Sequence, residues 1–186
     1  MHRSIDVANF FIDLTCSKEE GYITNLKVNK LLYFAQAWSY VRNNRPLFDE
    51  NIEAWQYGPV VPSVYSTFKH YGRNNIAEVS EKLALDSFSE DELQLLIDIQ
   101  REYGKYTAST LVDLTHEKGS PWEQIYNGDH NHKVISPNSM KAYFSKQAPL
   151  STFDTQDIER KGSVGYRDPS DGFLVLPAEY NDEQTL

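Results

Sequence analysis

The sequence predicts an all-α fold, a compact bundle of about seven helices with an irregular, acidic C-terminal tail. Three observations support this. From residue 4 to about 147, apolar residues recur at helical spacing far more often than they alternate. Residues suited to starting and stopping helices sit at the ends of those stretches. From residue 148 the character changes, with eight acids against three bases contributing −5 of the formal net charge of −9. Residues 1–147 therefore read as a helical domain and 148–186 as a tail.

A first helix begins near Ser4, with Ile5, Ala8, Phe11, Ile12 and Thr15 as one stripe. Thr24 is placed to cap a second helix, whose Leu31, Phe34, Ala35, Trp38 and Val41 share a face that Leu32 and Tyr33 widen. This is the most apolar helix and reads as the central one. Asn43, Asn44 and Pro46 end it, because Asn favours turns and Pro lacks the amide hydrogen.

The stretch E-A-W-Q-Y-G-P-V-V-P-S-V-Y, 53–65, reads as a tight corner between helices. Gly58 before Pro59 permits close backbone approach, and Pro59 restricts the residue before it. Pro62 suits a first helical turn, after which Val61, Val64, Tyr65 and Phe68 form a stripe that Gly72 stops, giving a helix of roughly three turns.

Ser89 and Glu92 form a capping box for the next helix, whose inner face is expected at Leu93, Leu96, Ile97 and Gln100 and whose end is Gly104. A short helix starts near Thr107 and ends by Gly119. Ser120-Pro121 and Ser136-Pro137 repeat one punctuation, an N-cap followed by Pro at the first helical position, and predict two further short helices. In the tail, F-L-V-L-P at 173–177 is long enough for a strand and too short for a helix.

Composition excludes several function classes. A sequence pI near 5.0 supplies no broad basic footprint, which argues against nucleic acid and for a neutral or basic protein partner. Cys16 is the single cysteine, so an internal disulfide or cysteine-rich metal site is ruled out. No run approaches the roughly 18 apolar residues of a membrane span, and a cytoplasmic location is expected.

The search for catalytic chemistry yields little. There is no phosphate-cradling glycine motif and no nucleophile elbow. Asp129 to His132 offers two histidines on alternate loop positions, which is half a metal site. His116 fits a general base or a helix C-terminal residue favoured by the dipole. Cys16, among helix-spaced apolar residues, reads as inert. No enzymatic role, cofactor or metal is expected.

Two segments carry a family resemblance. I-T-N-L-K-V-N-K-L-L-Y-F-A-Q-A-W (23–38) and P-L-F-D-E-N-I-E-A-W-Q-Y-G-P-V-V-P-S-V-Y (46–65), followed by L-V-D-L-T-H and P-W, resemble the Panacea domain over roughly residues 4–147. That family includes SocA-like antitoxins and phage-associated proteins. The resemblance implies a helical antitoxin that neutralises a toxin encoded beside it by direct contact. It also raises an alternative, an adaptor delivering the toxin to a ClpXP-type protease. An enzyme using His116 or the Asp129–His132 loop is the distant third reading.

Partner contact is expected at two places. At the corner, Trp55, Tyr57, Gly58, Pro59 and Val60 either close the bundle as core residues or present an aromatic edge to a partner. In the tail, Phe173, Leu174, Val175 and Leu176 either add a strand to the toxin or drape over their own domain. Exposed aromatic helix faces are also compatible with a homodimer.

Overall fold

The computed structural model describes residues 2–16, 22–81, 84–128 and 132–151, together with the backbone of 166–167 and 174–175. The chain divides into two units, Met1–Ser151 and Thr152–Leu186.

The first unit contains α1 (Ser4–Cys16), α2 (Asn25–Arg42), a hairpin of β1 (Glu53–Trp55) and β2 (Gly58–Val60), α3 (Pro62–Phe68), α4 (Glu90–Tyr103), α5 (Ala108–Thr115) and α6 (Pro137–Phe144). Single 3₁₀ turns occupy Lys69–Tyr71 and Leu85–Ser87. In the second unit, β3 (Tyr166–Arg167) and β4 (Leu174–Val175) pair antiparallel. Phe173 and Leu176 lie outside the described residues.

Helix α2 is the central element. The Thr24 hydroxyl accepts from Lys27 N at 3.2 Å, capping it as expected, and every residue from Val28 to Ser39 is buried. It packs against α1, α3, α4, α5, α6 and β2. A helix enclosed on all sides must satisfy its own polar side chains, and here they tie the surrounding loops to it. Gln36 Oε1 accepts from Leu47 N at 2.9 Å and Phe48 N at 3.2 Å, while its Nε2 donates to Phe48 O at 2.9 Å. Asn29 Oδ1 accepts from Val61 N at 2.9 Å.

Three expectations need correction. Among the described residues there are six α-helices rather than seven, because residues 121–125 form a chain of turns. Ser120 does act as a cap, its Oγ accepting from Glu123 N at 3.1 Å, but the Trp122 indole is pulled into the core and the coil goes no further. The stretch 53–60 is a β-hairpin rather than a corner between helices. On α4, the capping box forms as predicted, yet Leu95, Leu96 and Ile99 are fully buried while Leu93 and Ile97 are half-buried. Asp98 explains the rotation: its carboxylate, buried on the same side, meets Arg42 Nη1 of α2 at 2.5 Å.

Candidate functional site

The hairpin is built from its turn outward. Glu53 pairs with Val60, Ala54 with Pro59 and Trp55 with Gly58, leaving Gln56 and Tyr57 in the loop. Neither loop residue has positive φ, and Gly58 directly after them takes φ 93°, so the left-handed residue that completes the reversal is the glycine. Only glycine fits there sterically as well. A Cβ on Gly58 would lie 2.6 Å from Thr115 Oγ1 and 2.9 Å from Lys30 Cε.

Neighbouring chain fixes the hairpin on both sides. Ala54 N donates to Lys133 O and Ile135 N to Ile52 O, each at 2.8 Å, so residues 133–135 cover the free edge of β1. Beneath β2, the Lys30 amine donates to Pro59 O at 2.8 Å from a fully buried position. Burial lowers its pKa from 10.5 to about 7. From α5 and the following turns, Trp122 Nε1 donates to Trp55 O at 2.8 Å.

The five hairpin residues singled out from sequence therefore divide. Gly58, Pro59 and Val60 are buried and structural. Tyr57 is 62% exposed at the turn. Trp55 is half-buried, meets Tyr65 edge-on at 5.0 Å, stacks on His132 at 4.5 Å, and donates its indole N–H to Glu53 Oε2 at 2.8 Å. The motif therefore splits by burial: its second half is core and its turn is surface.

A groove of about 730 Å³ opens beside the turn. Asn25, Trp55, Tyr57 and Tyr65 line it, and exposed Lys69 and Arg73 stand at its rim. Among the described residues, no carboxylate pairs with either cation.

The other candidates fare differently. His116 follows α5 and stacks on Trp122 with ring centroids 3.6 Å apart. Burial, and secondarily the charge of Lys30, push its pKa below the usual value, partly opposed by Asp113. No hydrogen-bond partner meets its buried Nε2 among the described residues. Asp129 and His130 lie outside the described residues, while His132 packs on Trp55 and sits 3.7 Å from Glu53. Cys16 is exposed at the end of α1 rather than within its apolar stripe; its thiol donates to Ile76 O at 3.4 Å, and partial burial raises its pKa. Among the described residues, no group of three or more His, Cys, Asp or Glu side chains could hold a metal ion. No helix there is long and apolar enough to cross a membrane.

The residues that sequence reasoning missed are Lys30, Asn29 and Trp122. Lys30 and Asn29 are polar side chains inside the central helix, and that placement was the available signal. What the arrangement supplies is an exposed aromatic turn beside a groove on a mainly helical domain. The chain belongs to the family of SocA-like antitoxins with a Panacea domain, whose model matches residues 28–123. It is 33% identical over 135 residues to "Antitoxin SocA" of Caulobacter vibrioides (strain NA1000 / CB15N), a match covering 66% of this chain and 69% of that relative. The matched family segment contains α2 from Val28 onward, the hairpin, α3, α4, α5 and Trp122, but not residues 133–135. No solved structure matches the chain.

Proposed function

We propose that this protein neutralises a cognate toxin by direct, non-enzymatic contact, with Tyr57 and the adjoining groove as a principal contact surface. Kinship to Antitoxin SocA carries the reading. Its physical support is an exposed aromatic on a turn that is pinned by the Lys30 and Trp122 hydrogen bonds and by residues 133–135. A rigid aromatic buries a large area on binding at little cost in entropy.

The tail segment Phe173–Leu176 then supplies specificity for one toxin. A truncation testing this has to fall after Ser151, because Leu150 is buried and its carbonyl accepts from Arg42 Nη2 at 3.1 Å.

The test is co-expression of this gene with its immediate neighbour, with a tag on this protein. Growth arrest by the neighbour, relieved with stoichiometric co-purification, supports direct neutralisation. Relief accompanied by disappearance of the neighbour favours delivery to a ClpXP-type protease. Absence of toxicity removes the toxin assignment.

A further inference from the structure

A second cavity, of about 300 Å³, lies between α2, the end of α4 and α6, and its chemistry differs from that of the groove. Its inner wall is aromatic. Phe34 and Tyr103 stack face to face at 3.9 Å, and Tyr33 meets Phe34 edge-on at 5.4 Å. Trp38, Phe144 and Tyr143 complete the aromatic lining. Two carboxylates, Glu102 and Glu117, are the charged groups of the lining, and no Lys, Arg or His contributes to it.

The polar atoms are unevenly satisfied. Trp38 Nε1 donates to the Tyr103 hydroxyl at 3.0 Å, and the Tyr143 hydroxyl donates to Glu117 Oε2 at 2.9 Å. Glu102 faces Lys105 at 3.5 Å, whereas Glu117 makes no ion pair among the described residues. The Tyr33 side chain is 1% exposed, and its hydroxyl has no hydrogen-bond partner among the described residues. Tyr33, Tyr103 and Tyr143 all line the cavity. An orphaned hydroxyl is costly in a core, and Tyr33 is one of the residues that line the cavity.

We propose that this pocket receives the guanidinium group of an arginine carried by a protein partner. Electron-rich ring faces and a carboxylate select a cation, and a flat guanidinium stacks on rings while its fork of donors reaches Glu117 and the Tyr33 hydroxyl. The chain's net charge of −9 draws a basic partner to it. The identity of that partner rests on the antitoxin reading; the pocket's preference for guanidinium does not.

The experiment titrates the full chain with Nα-acetyl-arginine methylamide, using the corresponding citrulline and lysine amides as controls, and follows the Trp38 and Tyr103 resonances. The expected result is saturable binding of the arginine probe, about tenfold tighter than the neutral citrulline isostere and tighter than lysine. Tyr33→Phe and Glu117→Gln should each weaken it about fivefold or more. Tyr33→Phe should also leave the thermal midpoint of the free protein unchanged or raised, since it removes an unpaired buried group. Equal binding of citrulline, equal binding of lysine, no binding, or wild-type affinity in both variants would overturn the assignment. Arginine binding together with a non-toxic neighbour would uphold the pocket while removing the antitoxin reading. Full toxin co-purification by the double variant would overturn the pocket's role in partner contact.

Discussion

The Lys30 amine, fully buried in the central helix, donates to the Pro59 carbonyl at 2.8 Å and so joins the hydrophobic core to the exposed hairpin. No carboxylate among the described residues pairs with it. The geometry therefore carries an electrostatic cost that depends on pH.

In the folded chain Lys30 titrates near 7, against 10.5 when unfolded. Between those values the unfolded chain binds a proton that the folded chain has released, so stability rises with pH, by at most about 1.4 kcal/mol per unit. Above about pH 10 buried Tyr33 and half-buried Tyr103 and Tyr143 act in the opposite direction, because their pKa values are raised on folding. Thermal melts from about pH 7 to pH 9.5 should show increasing stability in the wild type and a flat profile in Lys30→Met. A flat wild-type profile would contradict the buried, unpaired amine.

Gly58→Ala should destabilise the domain. The backbone strain at φ 93° alone costs about 1–3 kcal/mol. The added methyl also overlaps Thr115 and Lys30. A denaturant midpoint equal to that of the wild type would show that the turn adopts another conformation.

Tyr57 and Trp122 make a contrasting pair. Tyr57→Ala, at 62% exposure, should change stability by less than about 0.5 kcal/mol and weaken toxin co-purification. Trp122→Ala removes a buried indole and its bond to Trp55 O, and should cost about 3–5 kcal/mol. A large loss of stability in Tyr57→Ala would reassign it to packing.

Asp98→Ala should cost about 3–5 kcal/mol, because it leaves Arg42 without its 2.5 Å partner in a largely buried setting. Arg42 also holds the Leu150 carbonyl, so increased proteolysis near residue 150 should accompany the loss. Unchanged digestion would separate the ion pair from the end of the domain.

Much of the fold is legible in the chain because the signals are local. Thr24, Ser89, Thr107 and Ser136 all cap helices as their positions suggest, since a cap bond spans three residues. On α4, Leu96 and Gln100 are buried as expected, but Leu93, Leu95, Leu96, Ile97 and Ile99 are all apolar, so local periodicity does not separate buried Leu95 and Ile99 from half-buried Leu93 and Ile97. The short strands of the hairpin were missed because three residues carry too little periodicity to separate a strand from an irregular turn.

The sequence by itself determined the central helix, the capped helices around it, the acidic tail and the two motifs that mark the family, because spacing, capping and charge are properties of the chain. The tertiary structure decided which hairpin residues face solvent, that Lys30 and Trp122 pin them, and that residues 33, 103, 117 and 143 meet around one cavity. Those outcomes depend on contacts between residues up to 110 positions apart, and burial assigns each side chain its surroundings only when the elements have packed.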